Sequence, residues 1–163
     1  MADANSLASP LFLRETELRR GIELLYFGYR DFTKGPDALL EQHGFGRAHH
    51  RALYFIGRRP GLSVSDLLKL LQITKQSLSR VLSDLQTKGY VVSVVGKHDK
   101  RQRLLYLTES GASLERQTFE AIRERMANAY GEAGPEAVAG FWAVLMGLIE
   151  PDQKAAINEV MRG

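Results

Sequence analysis

Six polar or basic side chains in one short stretch of predicted helix have the chemistry to read nucleic-acid bases. They are Lys75, Gln76, Ser77, Ser79, Arg80 and Ser83. Glutamine can pair bidentately with adenine, arginine with guanine, and serine with bases or phosphates, and each good pairing discriminates by roughly 1–3 kcal/mol. The alternative is an ordinary solvated helix face. Because Asp84 is the only acid in this helix, the composition favours a face that approaches an anion.

A second basic cluster lies in the loop of a predicted β-hairpin, residues 96–102. It comprises Lys97, His98, Asp99, Lys100 and Arg101, and Arg103 follows directly. Basic side chains spaced this closely repel one another unless an anion or an acidic side chain lies nearby. Asp99 is expected to brace Arg101 by a charge-assisted bond and to aim its guanidinium into a DNA minor groove. Considered alone, the loop is better explained as a polar turn that keeps a hairpin soluble.

The elements that position these two clusters follow from apolar spacing. Leu78, Val81, Leu82 and Leu85 recur at helical intervals and predict a helix that begins at the capping residue Thr74 and ends at Lys88, before Gly89. Ser63 and Asp66 resemble a capping box, and they predict a shorter helix just before it. A period of two predicts strands at 90–95 and 103–107. Two short helices followed by a basic hairpin describe a winged helix-turn-helix.

Further helices are predicted on both sides of this motif. Their ranges are 11–33, 36–42, 47–59 with Ala52, Leu53 and Ile56 inward, 108–130, 134–149, and 151 to the end. The predicted fold is therefore mainly α with a small β-hairpin wing. Helix 135–149 is apolar on more than one side, which favours a partner chain over complete coverage by its own subunit.

Composition excludes several classes of function. The chain of 163 residues has no cysteine, so a disulfide framework, a thiolate nucleophile, a cysteine zinc site and a thiol redox switch are excluded. No metalloprotease, serine-hydrolase, P-loop or dinucleotide-binding pattern is present, so neither an enzyme nor a cofactor is expected. No run of apolar residues is long enough to span a membrane. Residues 1–10 are predicted to form a mobile tail and not a secretory signal. We expect a cytoplasmic protein without a membrane partner.

The formal net charge of +3 conceals an uneven distribution. Residues 45–105 contain twelve basic and three acidic residues, a net charge of +9. The rest of the chain contains ten basic and sixteen acidic residues, a net charge of −6. A basic middle between acidic flanks is typical of a protein that binds a polyanion, although a merely uneven surface would look the same.

Three stretches resemble the MarR family of bacterial winged-helix regulators. Ile73 to Arg80 matches the start of the family's recognition helix, Asp99-Lys100-Arg101 matches its D-x-R wing, and Leu107 to Gly111 matches its L-T-x-x-G motif. The resemblance implies a flexible tail at 1–10, dimerisation helices at 11–44 and 109–163, and a DNA-binding lobe at 45–108. The residues expected to bind double-stranded DNA are Ser63, Thr74, Lys75, Gln76, Ser77, Ser79, Arg80, Ser83, Lys97, His98, Asp99, Lys100, Arg101 and Arg103.

The resemblance also implies assembly and regulation. Such proteins are obligate homodimers that commonly repress transcription and are released by small ligands. A twofold dimer reads a pseudo-palindrome with half-sites about one helical turn apart. The implied effector pocket has Tyr26, Arg30, His49 and Tyr54 as candidates. The rival hypothesis is a winged helix used only for protein contacts.

Three histidines raise the question of a metal. His43, His49 and His50 have a spacing that could contribute to a metal site. Adjacent histidines on a helix point about 100° apart, however, and His43 lies across a turn from the other two. Ordinary polar or half-buried histidines explain the spacing better, so no metal site is predicted.

Overall fold

The computed structural model describes residues 10–162. Eight α-helices lie in this range, where apolar residues recur at helical spacing. The helices are α1 (Glu15–Phe32), α2 (Lys34–Glu41), α3 (Arg47–Arg58), α4 (Val64–Leu71), α5 (Lys75–Thr87), α6 (Glu109–Ala133), α7 (Pro135–Leu148) and α8 (Lys154–Arg162). The strands are β1 (Leu62–Ser63), β2 (Val91–Val95) and β3 (Arg103–Leu107). A mainly α fold with a small β wing is thus confirmed. The predicted tail lies outside the described residues apart from Pro10.

The chain divides after Lys34 into two units. The first contains a short 3₁₀ turn at Leu11–Leu13 and helix α1, which begins four residues later than the sequence predicts. Apolar side chains of α1, including Leu18, Ile22 and Leu25, are exposed.

The second unit is built around α3. Leu53 and Ile56 of α3 pack in one cluster with Leu67 of α4, Leu85 of α5 and Leu105 of β3, and all five are fully buried. Ala52 is buried as well, so the predicted inward face of this helix is confirmed. This core fixes the positions of α4, α5 and the sheet.

The sheet differs from the predicted two-stranded hairpin. Its antiparallel order is β1-β3-β2, with Leu62 opposite Leu105 and Val91 opposite Leu107. Strand β1 has only two residues, too few to show a period of two in the sequence. It is placed by Gly61, whose left-handed backbone (φ +86°) turns the chain and whose N–H donates to the Leu105 carbonyl at 2.8 Å.

Hydroxyl caps begin the helices of the predicted motif. Thr74 Oγ1 accepts the Ser77 N–H at 3.1 Å, and Thr108 Oγ1 accepts the Gly111 N–H at 3.0 Å. Ser63 Oγ accepts the Asp66 N–H at 3.0 Å and donates to Asp66 Oδ2 at 2.8 Å. The Asp66 side chain therefore bonds the serine hydroxyl, where a capping box would use the serine N–H. Among residues 10–162, no helix has the length and apolar character to cross a membrane.

Candidate nucleic-acid interface

Helix α5 buries one face and exposes the opposite one. Its buried side chains are Leu78, Val81, Leu82 and Leu85, each at most 5% exposed. At about 100° per residue, the opposite direction is occupied by Gln76, Arg80, Ser83 and Thr87, which we call the outer face. All four are exposed. The structure thus aligns Gln76, Arg80 and Ser83 in one stripe, as their four- and three-residue spacing predicts.

Thr87 is a member of the outer face that sequence reasoning missed. It lies four residues after Ser83, so the same helical spacing would have found it had the stripe been followed to the end of the helix.

One flank of α5 lines an open groove of ≈ 710 Å³. Lys75, Ser79 and Gln86 of α5 face it, together with Ser65 of α4, and Ser93 and Arg103 form its wall on the sheet. The groove joins the helix to the wing. Apolar side chains of α4 and α5 also line it, and its hydroxyl, amide and cationic groups suit the oxygens of a phosphate backbone. Ser65 and Ser93 could not be recognised from sequence patterns, because they lie far apart along the chain and line one groove only in the folded structure.

The first turn of α5 brings two of the predicted hydroxyls together. Thr74 Oγ1 donates to Ser77 Oγ at 2.9 Å, and both residues are exposed. Ser63 has a different setting, since it is only 7% exposed and its hydroxyl is engaged in the α4 cap.

The loop between β2 and β3 presents its basic residues to solvent. Lys97, His98, Asp99, Lys100, Arg101 and Arg103 are all exposed. Asp99 Oδ1 accepts the backbone N–H of Arg101 at 2.9 Å, and the Asp99 carbonyl accepts the Gln102 N–H at 3.1 Å. In the described part of the chain no ion pair joins Asp99 to the Arg101 guanidinium, so the predicted charge-assisted brace is wrong. Asp99 shapes the turn through the backbone, because an Asp side chain readily bonds an N–H two residues on.

The other flank of α5 is bonded to the segment around the start of α3. His49 Nε2 lies 2.9 Å from Asp84 Oδ2, and Lys88 Nζ donates to the His43 carbonyl at 2.8 Å. The Lys88 ammonium also lies 4.7 Å from the centroid of the Phe45 ring, within cation–π range. Sequence reasoning singled out Asp84 as an isolated acid but not its partner, which is 35 residues away.

The three histidines are separately engaged. His43 Nδ1 lies 3.1 Å from the Tyr90 hydroxyl, and His49 contacts Asp84. His50 Nε2 is buried without a hydrogen-bond partner in the structure. Within residues 10–162 no group of three or more His, Asp or Glu side chains is arranged to hold a metal ion.

The four candidate effector residues lie on two helices. Tyr26 and Arg30 lie on α1 of the first unit, and His49 and Tyr54 lie on α3 of the second. Arg30 Nε donates to Asp31 Oδ1 at 2.9 Å and its guanidinium lies over the Phe27 ring. The bonds from Arg30 and from Lys34 hold the pKa of the Asp31 carboxyl well below its usual value.

Helix α7 exposes large apolar side chains. Phe141, Trp142, Val144 and Leu148 are 41–64% exposed, and no residue of the helix is buried. Trp142 Nε1 donates to the Tyr130 hydroxyl at 2.9 Å, which fixes the indole against α6. The exposed stripe is the kind of surface that a protein partner covers.

Sequence comparisons identify related proteins. A model of the MarR family matches residues 43–102, which contain α3, α4, α5 and β2. The chain is 56% identical over 141 residues to the HTH-type transcriptional regulator PetP of Rhodobacter capsulatus. That similarity covers 86% of this chain and 85% of PetP.

Two solved structures illustrate the shared fold. One is a cysteine-to-serine mutant of MarR from E. coli complexed with operator DNA, with a TM-score of 0.64, 22% identity and coverage of 87% of this chain and 100% of that one. The other is MepR from S. aureus in a DNA-binding conformation, with a TM-score of 0.70, 22% identity and coverage of 78% and 95%. Both share the arrangement of helices around a small winged sheet that is described above.

Proposed function

Because the chain belongs to the MarR family of transcriptional regulators, and is not an enzyme, we propose that it binds a pseudo-palindromic operator in double-stranded DNA as a homodimer. It then represses transcription until a small molecule releases it.

The observation that carries this proposal is the outer face of α5. Gln76, Arg80 and Ser83 project away from a fully packed apolar face, so this face of α5 is directed outward and their polar ends stay exposed. A helix inserted in a major groove needs this arrangement, because base edges are read by hydrogen bonds of defined geometry. The open flank of α5 and the basic wing supply positioning contacts to the sugar-phosphate backbone.

The proposed contacts fall into two classes. The base-reading residues are Gln76, Arg80, Ser83 and the newly found Thr87. The phosphate and minor-groove residues are Thr74, Lys75, Ser77, Ser79, Lys97, His98, Lys100, Arg101 and Arg103, with Asp99 shaping the wing turn. Ser63 serves as the cap that orients α4.

Homodimerisation is supported by the exposed stripe on α7 and by the exposed leucines and isoleucine of α1. A second copy of the chain would bury these side chains. Twofold symmetry would then place two α5 helices about one DNA turn apart, which requires an inverted repeat in the operator.

The effector is proposed on the family resemblance, with Tyr26, Arg30, His49 and Tyr54 as its candidate contacts. With no cysteine in the chain, release by thiol oxidation is excluded, which leaves a small-molecule effector or no effector.

Selection of bound duplexes from a random DNA pool tests the proposal most directly. We expect an enriched inverted repeat, and binding to it should weaken about a thousandfold or more between 50 and 200 mM salt, as several phosphate contacts require. If no sequence is enriched and binding is insensitive to salt, the protein-contact hypothesis replaces this one.

A further inference from the structure

A relay of two hydrogen bonds through His49 joins α3 to the flank of α5. The Gly46 N–H donates to His49 Nδ1 at 3.1 Å, and His49 Nε2 lies 2.9 Å from Asp84 Oδ2. A backbone N–H can only donate, so Nδ1 is the acceptor and the ring proton lies on Nε2. Nε2 therefore donates to the Asp84 carboxylate.

The His49 ring is held rigidly in this relay. Its side chain is only 14% exposed, and the ring stacks on Phe45 with centroids 4.8 Å apart and planes 25° apart. Phe45 is itself buried, and its ring also receives the ammonium of Lys88. The second half of α5 is consequently attached at two points one turn apart, Asp84 and Lys88.

Asp84 lies one helical turn after Arg80 and directly beside the outer face. The buried leucines and valine determine which face of α5 points outward, but the hydrophobic effect is non-directional, so it resists small rotations about the helix axis less than it resists separation of the helix. A charge-assisted hydrogen bond on the flank is directional and opposes that rotation. The rotation decides whether Gln76 and Arg80 meet the edges of bases, because hydrogen-bonding groups must be held to within fractions of an ångström.

We propose that His49 is a positioning residue for DNA recognition, which sets the rotation of α5 through Asp84. The inference rests on the proposed function, and it assigns to His49 a role in operator affinity that is separate from any effector contact.

Two substitutions at the same position separate the two halves of the relay. In His49→Gln, the amide nitrogen stands near the former Nε2 and still donates to Asp84. In His49→Asn, the amide oxygen stands near the former Nδ1 and still accepts from Gly46, but no group reaches Asp84. Both side chains are neutral and both lose the stacking on Phe45, so any loss from stacking is common to the pair.

Operator affinity and amide hydrogen exchange are measured for the wild type and both variants. We expect His49→Gln to bind the selected operator within about threefold of the wild type. The affinity of His49→Asn for the operator should be lower by a factor of about ten or more, because losing one hydrogen bond to a charged group weakens binding by about this factor. Amides of residues 81–88 should exchange faster in His49→Asn than in His49→Gln. Equal affinity and equal exchange in the two variants would overturn the proposal.

A double variant excludes simple charge repulsion. If His49→Asn acts only by releasing the Asp84 charge toward phosphates, adding Asp84→Asn would restore affinity, and that result would also overturn the proposal. We expect the loss to persist, because the double variant still lacks the bond. Should the wild type enrich no DNA sequence, the proposed function fails, while the exchange of α5 amides still decides whether His49 holds the helix.

Discussion

Arg80 and Arg101 are both exposed cations, but their positions give them different tasks. Arg80 lies on the outer face of α5 and Arg101 at the wing tip. We expect Arg80→Ala to weaken the free energy of operator binding by about 1–3 kcal/mol. The substitution should weaken binding much less when the base pair that Arg80 reads has been changed. Arg101→Ala should weaken binding to all duplexes by similar factors. The slope of the logarithm of the binding constant against the logarithm of the salt concentration should become shallower, as the release of about one fewer counterion requires.

Gel-shift titrations on the operator and on its single-base variants distinguish the two arginines. Circular dichroism of each variant checks that the fold is intact, since both side chains are exposed. Wild-type affinity and selectivity in both variants would show that neither α5 nor the wing contacts DNA as proposed.

His50 makes stability depend on pH. Its Nε2 is buried without a partner, and burial lowers the pKa of the ring, a shift that nearby Asp37 opposes and Arg51 reinforces. An unfolded chain takes up the proton near the ordinary value of 6.5, whereas the folded chain does so only at lower pH. The free energy of unfolding should therefore fall as the pH drops below about 6.5, until the folded pKa is reached.

Replacing the ring removes this contribution. The variant His50→Asn should lose stability less steeply than the wild type between pH 7 and pH 5 in urea denaturation. The other three histidines are common to both proteins, so the difference between the two curves reports His50 alone. Parallel curves would mean that His50 takes up its proton equally in the folded and unfolded chains.

At the residue scale, what could be predicted depended on separation along the chain. All six polar or basic residues predicted on α5 are exposed, but only Gln76, Arg80 and Ser83 share the outer face, because helical spacing turns Lys75 and Ser79 onto a flank. The bond from His49 to Asp84 spans 35 residues, and it exists only because α3 and α5 pack on the same core. Asp99 accepts the backbone N–H of Arg101, a contact set by the turn and not by the side-chain charges from which a brace was predicted.

Among elements, the junction between the wing and α6 depends on one glycine. Gly111 lies in the first turn of α6, and a Cβ there would collide with the Tyr90 carbonyl oxygen, which already accepts the Thr108 N–H at 3.0 Å. This close approach explains why the motif from Leu107 to Gly111 ends in glycine. We expect Gly111→Ala to destabilise the protein by about 2 kcal/mol or more, since backbone must move to relieve the overlap.

The same helix provides a matched control. Gly131 has no atom within 4 Å of an added Cβ and does not have a left-handed backbone. Gly131→Ala should therefore stabilise the protein by about 0.5–1 kcal/mol, because alanine loses less backbone entropy in a helix. Thermal denaturation of both variants measures the contrast. Equal melting temperatures would show that α6 does not need glycine for its approach to Tyr90.

Element prediction succeeded where the signal was long or capped and failed where it was short. Helices α3 to α7 were predicted to within about three residues, because apolar periodicity and the Thr74 and Thr108 caps agree. Strand β1 could not be predicted, since two residues carry no periodicity and their pairing with β3 depends on tertiary structure. Helix α1 begins late because Leu11–Leu13 continue the apolar pattern in a 3₁₀ turn.

Across the whole molecule, the uneven charge in the sequence follows the elements of the structure. The basic segment 45–105 contains α3 to α5, β2 and the wing loop, and the acidic flanks contain α1, α6 and α7. Repulsion between phosphates and the acidic flanks would favour docking through α5 and the wing. The apolar stripes of α1 and α7 also lie in the acidic flanks, so the proposed dimer contacts and the proposed DNA contacts use different parts of the chain.

The proposed dimer contact on α7 can be tested with one charge. Val144 is 64% exposed and lies on the same side of the helix as Leu148 and Phe141, so an aspartate there costs the isolated subunit little but would be buried in a dimer. Ala139→Asp places the same charge about 140° around the helix and serves as the control. In sedimentation velocity we expect Val144→Asp to be a monomer, with Ala139→Asp and the wild type as dimers. Val144→Asp should also lose the affinity gained from binding two half-sites at once, while a single half-site is bound as before. A dimeric Val144→Asp would place the subunit interface elsewhere.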